Sequence, residues 1–145
     1  MKTALRYKPL VTYEADIFYH LGLAYCRLEK FEKSIFPYTK CIEKVPSTSD
    51  VRYVHERAKA FQMIDEHERA VEDFNVVILK NPKNANAYFR RAFSLKSLKK
   101  YDRAIGDFEK AKQLDPTNES LMVNYKKLKG VSCIVLCEPG SETVF

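Results

Sequence analysis

The chain has 145 residues, of which 46% are hydrophobic and 30% charged, and its formal net charge is +6. These values are typical of a single globular domain with a buried core. No segment approaches the ~20 apolar residues of a membrane span, and the start lacks the apolar stretch of a secretory signal. Both of those classes are therefore excluded, and we predict a cytoplasmic protein.

Residues 14–49 are predicted to form a pair of helices. Large apolar residues recur there at steps of three and four, as a helix buried on one face requires: Phe18, Leu21, Tyr25, Leu28, Phe31, Ile35, Tyr38 and Ile42. Pro46 ends the second helix, because proline has no N–H with which to continue it. Pro37 lies inside the same helix, so we expect either a kink there or a later helix start near Ser34.

Residues 50–83 and 84–117 repeat this pattern with a shift of 34 residues. The shift superimposes similar residues at matching positions: Ala58 and Ala92, Ala70 and Ala104, Phe74 and Phe108, Pro82 and Pro116. The step from Pro46 to Pro82 is 36 residues, which indicates two extra residues in the turn between the first two copies. A fixed period of this length is the signature of a helical-repeat architecture.

Small residues fall where the first helix of each pair must pack closely on its partner, at Gly22, Ala58 and Ala92. Asp50 and Asn84 lie where helix N-caps are expected. A single helix pair cannot bury its apolar face, whereas stacked pairs bury it continuously. The sequence therefore predicts an all-α fold of stacked pairs.

The three copies resemble the tetratricopeptide repeat (TPR) family, whose signature is W-x₂-L-G-x₂-Y…A-x₃-F…P. The first copy supplies Phe18, Leu21, Gly22, Tyr25, Ser34, Tyr38 and Pro46, and the third supplies Tyr88, Arg91, Ala92, Leu95, Ala104, Phe108 and Pro116. The second copy is weaker, with Val54 in the aromatic place and Arg57 in the Leu place. The resemblance covers residues 15–116 and implies a right-handed α-α superhelix, or solenoid, of three helix pairs.

Both ends of the chain depart from the repeat. Residues 1–13 are predicted to be a tail or the remnant of a preceding repeat, so that the chain would be a fragment or short product of a longer array. Residues 118–130 are expected to form a capping helix. Residues 131–145 form a non-repeat tail, in which the apolar segment Val131 to Cys137 is β-prone. Its last residues, Thr143 to Phe145, resemble a carboxyl-terminal ligand of PDZ domains.

The resemblance implies a protein-interaction module in which the first helices line a concave groove for an extended peptide or a partner helix. The groove residues are expected beside the apolar stripe of each first helix: Tyr19, His20, Leu23 and Arg27 in the first copy, Arg52, His55, Glu56 and Lys59 in the second, and Asn86, Phe89, Arg90, Phe93 and Lys96 in the third. Their cations would pair with carboxylates of a possibly acidic partner.

One branch of the family grips the carboxyl terminus of chaperones with five Lys, Asn and Arg residues. Only Arg90 matches that set. Tyr19 and Leu23 replace the first Lys and Asn, Glu56 replaces the second-repeat Asn, and Asn86 replaces the third-repeat Lys. Because Glu56 would repel a carboxylate, binding of chaperone tails is not expected.

We predict no catalytic residues, no metal and no cofactor. The sequence has no phosphate-binding glycine loop and no nucleophile motif. Its three histidines are scattered, and its four cysteines fit neither a disulfide framework nor a zinc site. Cys41 is expected to be a buried small hydrophobic residue, and Cys26 is a weak redox candidate.

Two alternatives to protein binding stay open. Related helical repeats read RNA, and a basic chain favours phosphate contacts, although the interspersed acidic residues count against nucleic acid. The chain could also be a purely structural spacer in a longer array.

Overall fold

A computed structural model describes the backbone of residues 2–45 and 51–137 and the side chains of residues 12–45, 51–127 and 130. The described residues form seven helices: α1 (Lys2–Arg27), α2 (Phe31–Lys44), α3 (Arg52–Met63), α4 (His67–Lys80), α5 (Ala85–Ser97), α6 (Tyr101–Leu114) and α7 (Glu119–Cys137). Two compact units divide the chain, Met1–Pro82 and Lys83–Phe145. Within the described ranges, no helix has both the length and the apolar character needed to cross a membrane.

In the first unit, α1 packs on α2 where a glycine meets a tyrosine. Gly22 is buried, and a Cβ built on it would lie only 2.5 Å from Cε1 of the buried Tyr38. The two helices therefore approach at a distance that only glycine permits. Ala58 and Ala92, which occupy the same position in α3 and α5, are fully buried. The predicted role of these small residues in close helix packing is confirmed.

A core cluster joins the first three helices. It consists of the buried Ala15, Cys41 and Tyr53, with four partly buried side chains packed against them: Phe18, Tyr19, Ile42 and Val45. The Cys41 thiol donates to the backbone oxygen of Ala15 at 3.1 Å, and burial raises its pKa to about 11. At neutral pH this thiol stays protonated, which confirms Cys41 as a buried small residue rather than a reactive one.

In the second unit, α5 packs on α6, and α7 also packs on α6. The buried core includes Leu95, Phe108 and Leu121, one from each helix. On the surface, the Tyr125 hydroxyl donates to Glu109 at 2.9 Å and so ties α7 to α6. Asn84 caps α5 by accepting a hydrogen bond from the backbone N–H of Ala87 at 3.1 Å, as predicted.

The turn inside each helix pair contains one residue in the left-handed region. Glu29, Asp65 and Lys99 have φ values of 58°, 63° and 62°. They are separated by 36 and 34 residues, which are the offsets of the repeat itself. All three turns therefore have the same backbone geometry, although none carries the glycine that such a conformation favours.

Of the two alternatives predicted for Pro37, the later helix start is excluded. Helix α2 begins at Phe31 rather than near Ser34, and Pro37 is its seventh residue. A proline there removes one backbone hydrogen bond. Its ring is fully buried, and we infer that this burial offsets the lost bond.

Two helices extend beyond their predicted limits. The segment Val131 to Cys137 continues α7 and is not a strand, because helix propagation from the preceding turns outweighs the local β preference. Helix α1 begins at Lys2, so residues 2–13 belong to the first helix of the first pair. The N-cap of α3 is Val51, without a side-chain hydrogen bond, and the predicted cap Asp50 lies outside the described residues. The proposed PDZ ligand, Thr143 to Phe145, also lies outside them.

Candidate functional site

The thirteen predicted groove residues lie on the first helices of the three pairs, α1, α3 and α5. They differ in exposure, which separates accessible residues from those that serve the core. The exposed ones are His20, Arg27, Arg52, Asn86 and Phe93, and the partly buried ones are Tyr19, Leu23, His55, Glu56, Lys59, Phe89, Arg90 and Lys96.

In the first unit, the groove residues gather around a tyrosine–arginine cluster formed by Tyr19, Tyr53 and Arg52. The two rings meet edge to face with centroids 5.6 Å apart. The Arg52 guanidinium lies 5.7 Å from the Tyr19 ring centre and 5.8 Å from that of Tyr53. Such cation–π contacts attract a guanidinium group to the face of an aromatic ring. Arg52 therefore places positive charge beside the rings of Tyr19 on α1 and Tyr53 on α3.

Glu56 lies on α3, one turn beyond Arg52. Its carboxylate is 2.7 Å from the Lys59 ammonium and 4.0 Å from His55. Burial by itself would raise the pKa of Glu56, but the hydrogen bonds with His55 and Lys59 outweigh it, so the pKa is lowered. Glu56 is therefore ionised at neutral pH, and its charge is compensated by Lys59 within the same helix.

Cys26 lies at the contact between α1 and α2 and does not point away from it. Its sulfur is 3.6 Å from the hydroxyl of the buried Tyr38. Burial, followed by the bond with Cys26, raises the pKa of the Tyr38 hydroxyl far above its usual value. This pair therefore belongs to the helix interface, which counts against the redox role considered for Cys26.

In the second unit, the two groove phenylalanines have different environments. Phe89 packs edge to face on the buried Phe108 with ring centroids 5.6 Å apart, so it supports the core of the unit. Phe93, one turn later, is 42% exposed. The Lys96 ammonium lies 5.4 Å from the centre of its ring. We call this pair the Phe93–Lys96 patch.

Sequence reasoning missed a repeated pair of buried ions. Arg57 of α3 donates to both oxygens of Asp73 of α4, each at 2.8 Å. Arg91 of α5 donates to both oxygens of Asp107 of α6, each at 2.6 Å. Both pairs are mostly buried, and we call them the arginine–aspartate forks. The signal is present in the sequence, since both members of the pair recur at the 34-residue shift.

The fork of the second pair also reaches the first pair. Arg57 donates to the hydroxyl of Thr39 on α2 at 3.3 Å, and its guanidinium lies 5.8 Å from the ring centre of Phe61. Hydrogen bonding to Asp73 raises the pKa of Arg57. Arg57 therefore remains charged and links three helices of the first unit.

Positive charge is distributed unevenly along the chain. Residues 1–82 contain 13 basic and 12 acidic residues, whereas residues 83–145 contain 12 basic and 7 acidic ones. The second unit thus carries +5 of the net charge of +6. Among the described residues, no group of three or more His, Cys, Asp and Glu side chains could hold a metal ion.

Two segments of the chain, residues 15–43 and 85–118, match family models described as tetratricopeptide repeat. Small glutamine-rich tetratricopeptide repeat-containing protein 2 of Mycosarcoma maydis is 34% identical over 88 residues, which are 61% of this chain and 24% of that protein. DnaJ homolog subfamily C member 7 homolog of Dictyostelium discoideum is 27% identical over 110 residues, 74% of this chain and 20% of that protein. The chain spans about a quarter of the length of the curated relatives it matches.

Solved structures agree with these matches. The Arabidopsis OM64 TPR domain is 28% identical, with a TM-score of 0.77 over 83% of this chain and 98% of that one. The second TPR domain of human RPAP3, determined in complex with the HSP70 peptide SGPTIEEVD, is 26% identical, with a TM-score of 0.76 over 82% of this chain and 98% of that one. The predicted resemblance to the TPR family and the all-α helical-repeat fold are confirmed.

Proposed function

Because this chain is a tetratricopeptide repeat protein, we propose that it is a protein-binding module that holds an acidic, partly apolar segment of another protein against its first helices. The observation that carries the proposal is the Phe93–Lys96 patch. An aromatic ring that is 42% exposed beside an ammonium group offers both buried area and charge to a ligand. Such aromatic and cationic side chains are the typical energetic centres of protein interfaces.

The charge distribution supports an acidic ligand. Residues 83–145, which contain the Phe93–Lys96 patch, hold a net surplus of five positive charges. Opposite charge on a ligand would raise the rate of encounter and fix its orientation. In the first unit, the exposed Arg52 beside the partly buried Tyr19 supplies a second cation. We propose that both surfaces contact acidic side chains.

We do not propose capture of a chaperone carboxyl terminus through the five-residue clamp, even though a solved TPR neighbour is complexed with such a peptide. Of the clamp positions, only Arg90 carries the required residue. Glu56, at the place of a clamp asparagine, is ionised. An acidic segment bound at the Phe93–Lys96 patch would not need its terminal carboxylate recognised at the position of Glu56.

The test uses Phe93→Ala together with Lys96→Glu. These changes act on the exposed Phe93 and the partly buried Lys96, whereas Phe89→Ala would disturb the packing on the core residue Phe108. The matched control is Leu79→Ala with Lys80→Glu, since both residues are exposed on the second helix α4. Tagged chains are used for affinity purification from cell extract, and each co-purifying protein is quantified.

We expect the patch variant to lose a partner that the control retains, by at least about tenfold, because truncating an interface centre typically removes more than 1.4 kcal/mol. Helical circular dichroism should be the same for both variants. Partners that bind both variants equally would contradict the proposal.

Binding to RNA is the second candidate function, and the positive surplus of residues 83–145 is the observation that favours it. A gel-shift titration separates it from protein binding. Phosphate contacts would make RNA affinity fall by orders of magnitude between about 50 and 200 mM salt. No shift at the lower salt concentration would exclude this candidate.

A further inference from the structure

Helix α1 carries an exposed apolar stripe that the proposed function does not use. Its members are Tyr13, Ile17, Leu21 and Ala24, and Leu28, the first residue after α1, continues it. At 3.6 residues per turn they fall within an arc of about 80° on one side of the helix. The four large side chains are 67%, 56%, 41% and 63% exposed, in chain order. Single exposed apolar residues are ordinary, but a continuous stripe marks an interaction surface.

The next repeat shows what this face of the helix normally does. A shift of 36 residues places Ile17 on Tyr53 and Ala24 on Ala60. Tyr53 is 6% exposed and Ala60 only 1%. Tyr53 is buried against Cys41 of α2, which packs on α3. The α1 stripe is therefore the equivalent of a face that, in the neighbouring pair, is buried against another helix.

The composition of the stripe also suits burial. Leu21 occupies the place of Arg57, and the residue opposite it, Pro37, occupies the place of Asp73. The first pair thus has no arginine–aspartate fork, and its outer face is apolar where the second pair carries a charge. From Ile17 onward the stripe follows steps of four, three and four residues, the spacing of a two-helix seam.

The charges beside the stripe favour one kind of partner. Asp16 and Arg27 are both exposed, and both lie along the same edge of the stripe, about 20° apart around the helix. In two antiparallel copies of α1 related by a two-fold axis near Leu21, Asp16 of each copy would face Arg27 of the other. In a parallel two-fold arrangement the edge with Asp16 and Arg27 would lie on opposite sides of the seam in the two copies, so these ion pairs could not form.

We propose that the α1 stripe is a self-association surface, through which two copies of this chain pair α1 with α1 in antiparallel orientation. The pairing buries the same patch on both copies, as a two-fold interface requires. Two symmetric Asp16–Arg27 ion pairs fix its register. The interface is small, so the dimer forms only at elevated concentration.

Sedimentation velocity and light scattering over a concentration series test this proposal. The molar mass of the unmodified chain should rise from 16.9 kDa toward twice that value as concentration increases. Ile17→Glu with Leu21→Glu should abolish the rise, because carboxylates would be buried in an apolar seam. Leu79→Glu, on an exposed residue of α4, should leave it unchanged.

Charge reversal tests the orientation. Asp16→Arg alone should weaken dimerisation at least tenfold, and Asp16→Arg combined with Arg27→Asp should restore it. Failure of that rescue would overturn the antiparallel arrangement. A chain that remains monomeric at every concentration would assign the stripe to a different protein, and the proposal would be wrong. Partner binding through the Phe93–Lys96 patch is measured separately, so either proposal can fail alone.

Discussion

The first helix pair and the two later pairs have the same fold, but the contacts between their two helices differ. In the second and third pairs, a mostly buried arginine–aspartate fork joins the first helix to the second. In the first pair these two positions are Leu21 and Pro37, and close contact between Gly22 and Tyr38 holds the helices together. The comparison teaches that the same two facing positions can hold either an ion pair or two apolar side chains, provided that both residues differ together.

The largest effect is expected from breaking one fork. Asp107→Ala leaves Arg91 largely buried without its carboxylate, which should lower the free energy of unfolding by about 3–5 kcal/mol. Urea denaturation followed by circular dichroism measures this loss. Replacing both residues, with Arg91→Leu and Asp107→Leu, should recover most of it, because the unpaired charge is then removed. If the single variant were as stable as the unmodified chain, the fork would not be a distinguishing feature of the later pairs.

A smaller loss is expected at the glycine of the first pair. The Cβ of Gly22→Ala would overlap the Tyr38 ring, so the helices must separate, at a cost of about 1–3 kcal/mol. The matched control is Gly106→Ala, because no atom lies within 4 Å of a Cβ built at Gly106. That exposed helical position should gain about 0.5–1 kcal/mol instead. Equal effects of both changes, measured by urea denaturation, would contradict the close packing of α1 on α2.

The smallest change in stability is expected in the turns between the helices, and it should be equal in the first and third pairs. Glu29→Gly and Lys99→Gly each place glycine at a left-handed backbone position and should raise stability by about 0.5 kcal/mol. The gain is small because glycine also increases the entropy of the unfolded chain. Thermal unfolding of the two variants would show whether the turns are equivalent while the helix contacts are not.

Much of the fold followed from residue spacing. The 34-residue shift identified the helix pairs, and the small residues Gly22, Ala58 and Ala92 marked the close contacts that the structure contains. Spacing could not show that Pro37 is accommodated inside α2, since that depends on burial of its ring. Nor could it extend α7 to Cys137, because β-branched residues also occur in helices when the preceding turns are already formed.

The candidate site was harder to predict than the fold. Sequence position placed Phe89 and Phe93 together as groove residues, but Phe89 contacts the core residue Phe108 and only Phe93 is exposed. Two aromatic residues one turn apart differ in this way because packing from another helix decides their exposure. The sequence does contain a signal for the arginine–aspartate forks. Arg57 and Asp73, and likewise Arg91 and Asp107, are separated by 16 residues.

Both members of each fork belong to a single helix pair. Gene duplication of one 34-residue repeat would therefore copy the cation and its counter-ion in the same event. The new repeat would inherit a buried charge that is already neutralised. The same property would let a protein engineer join copies of the third helix pair into longer arrays without adding compensating charges at each new junction.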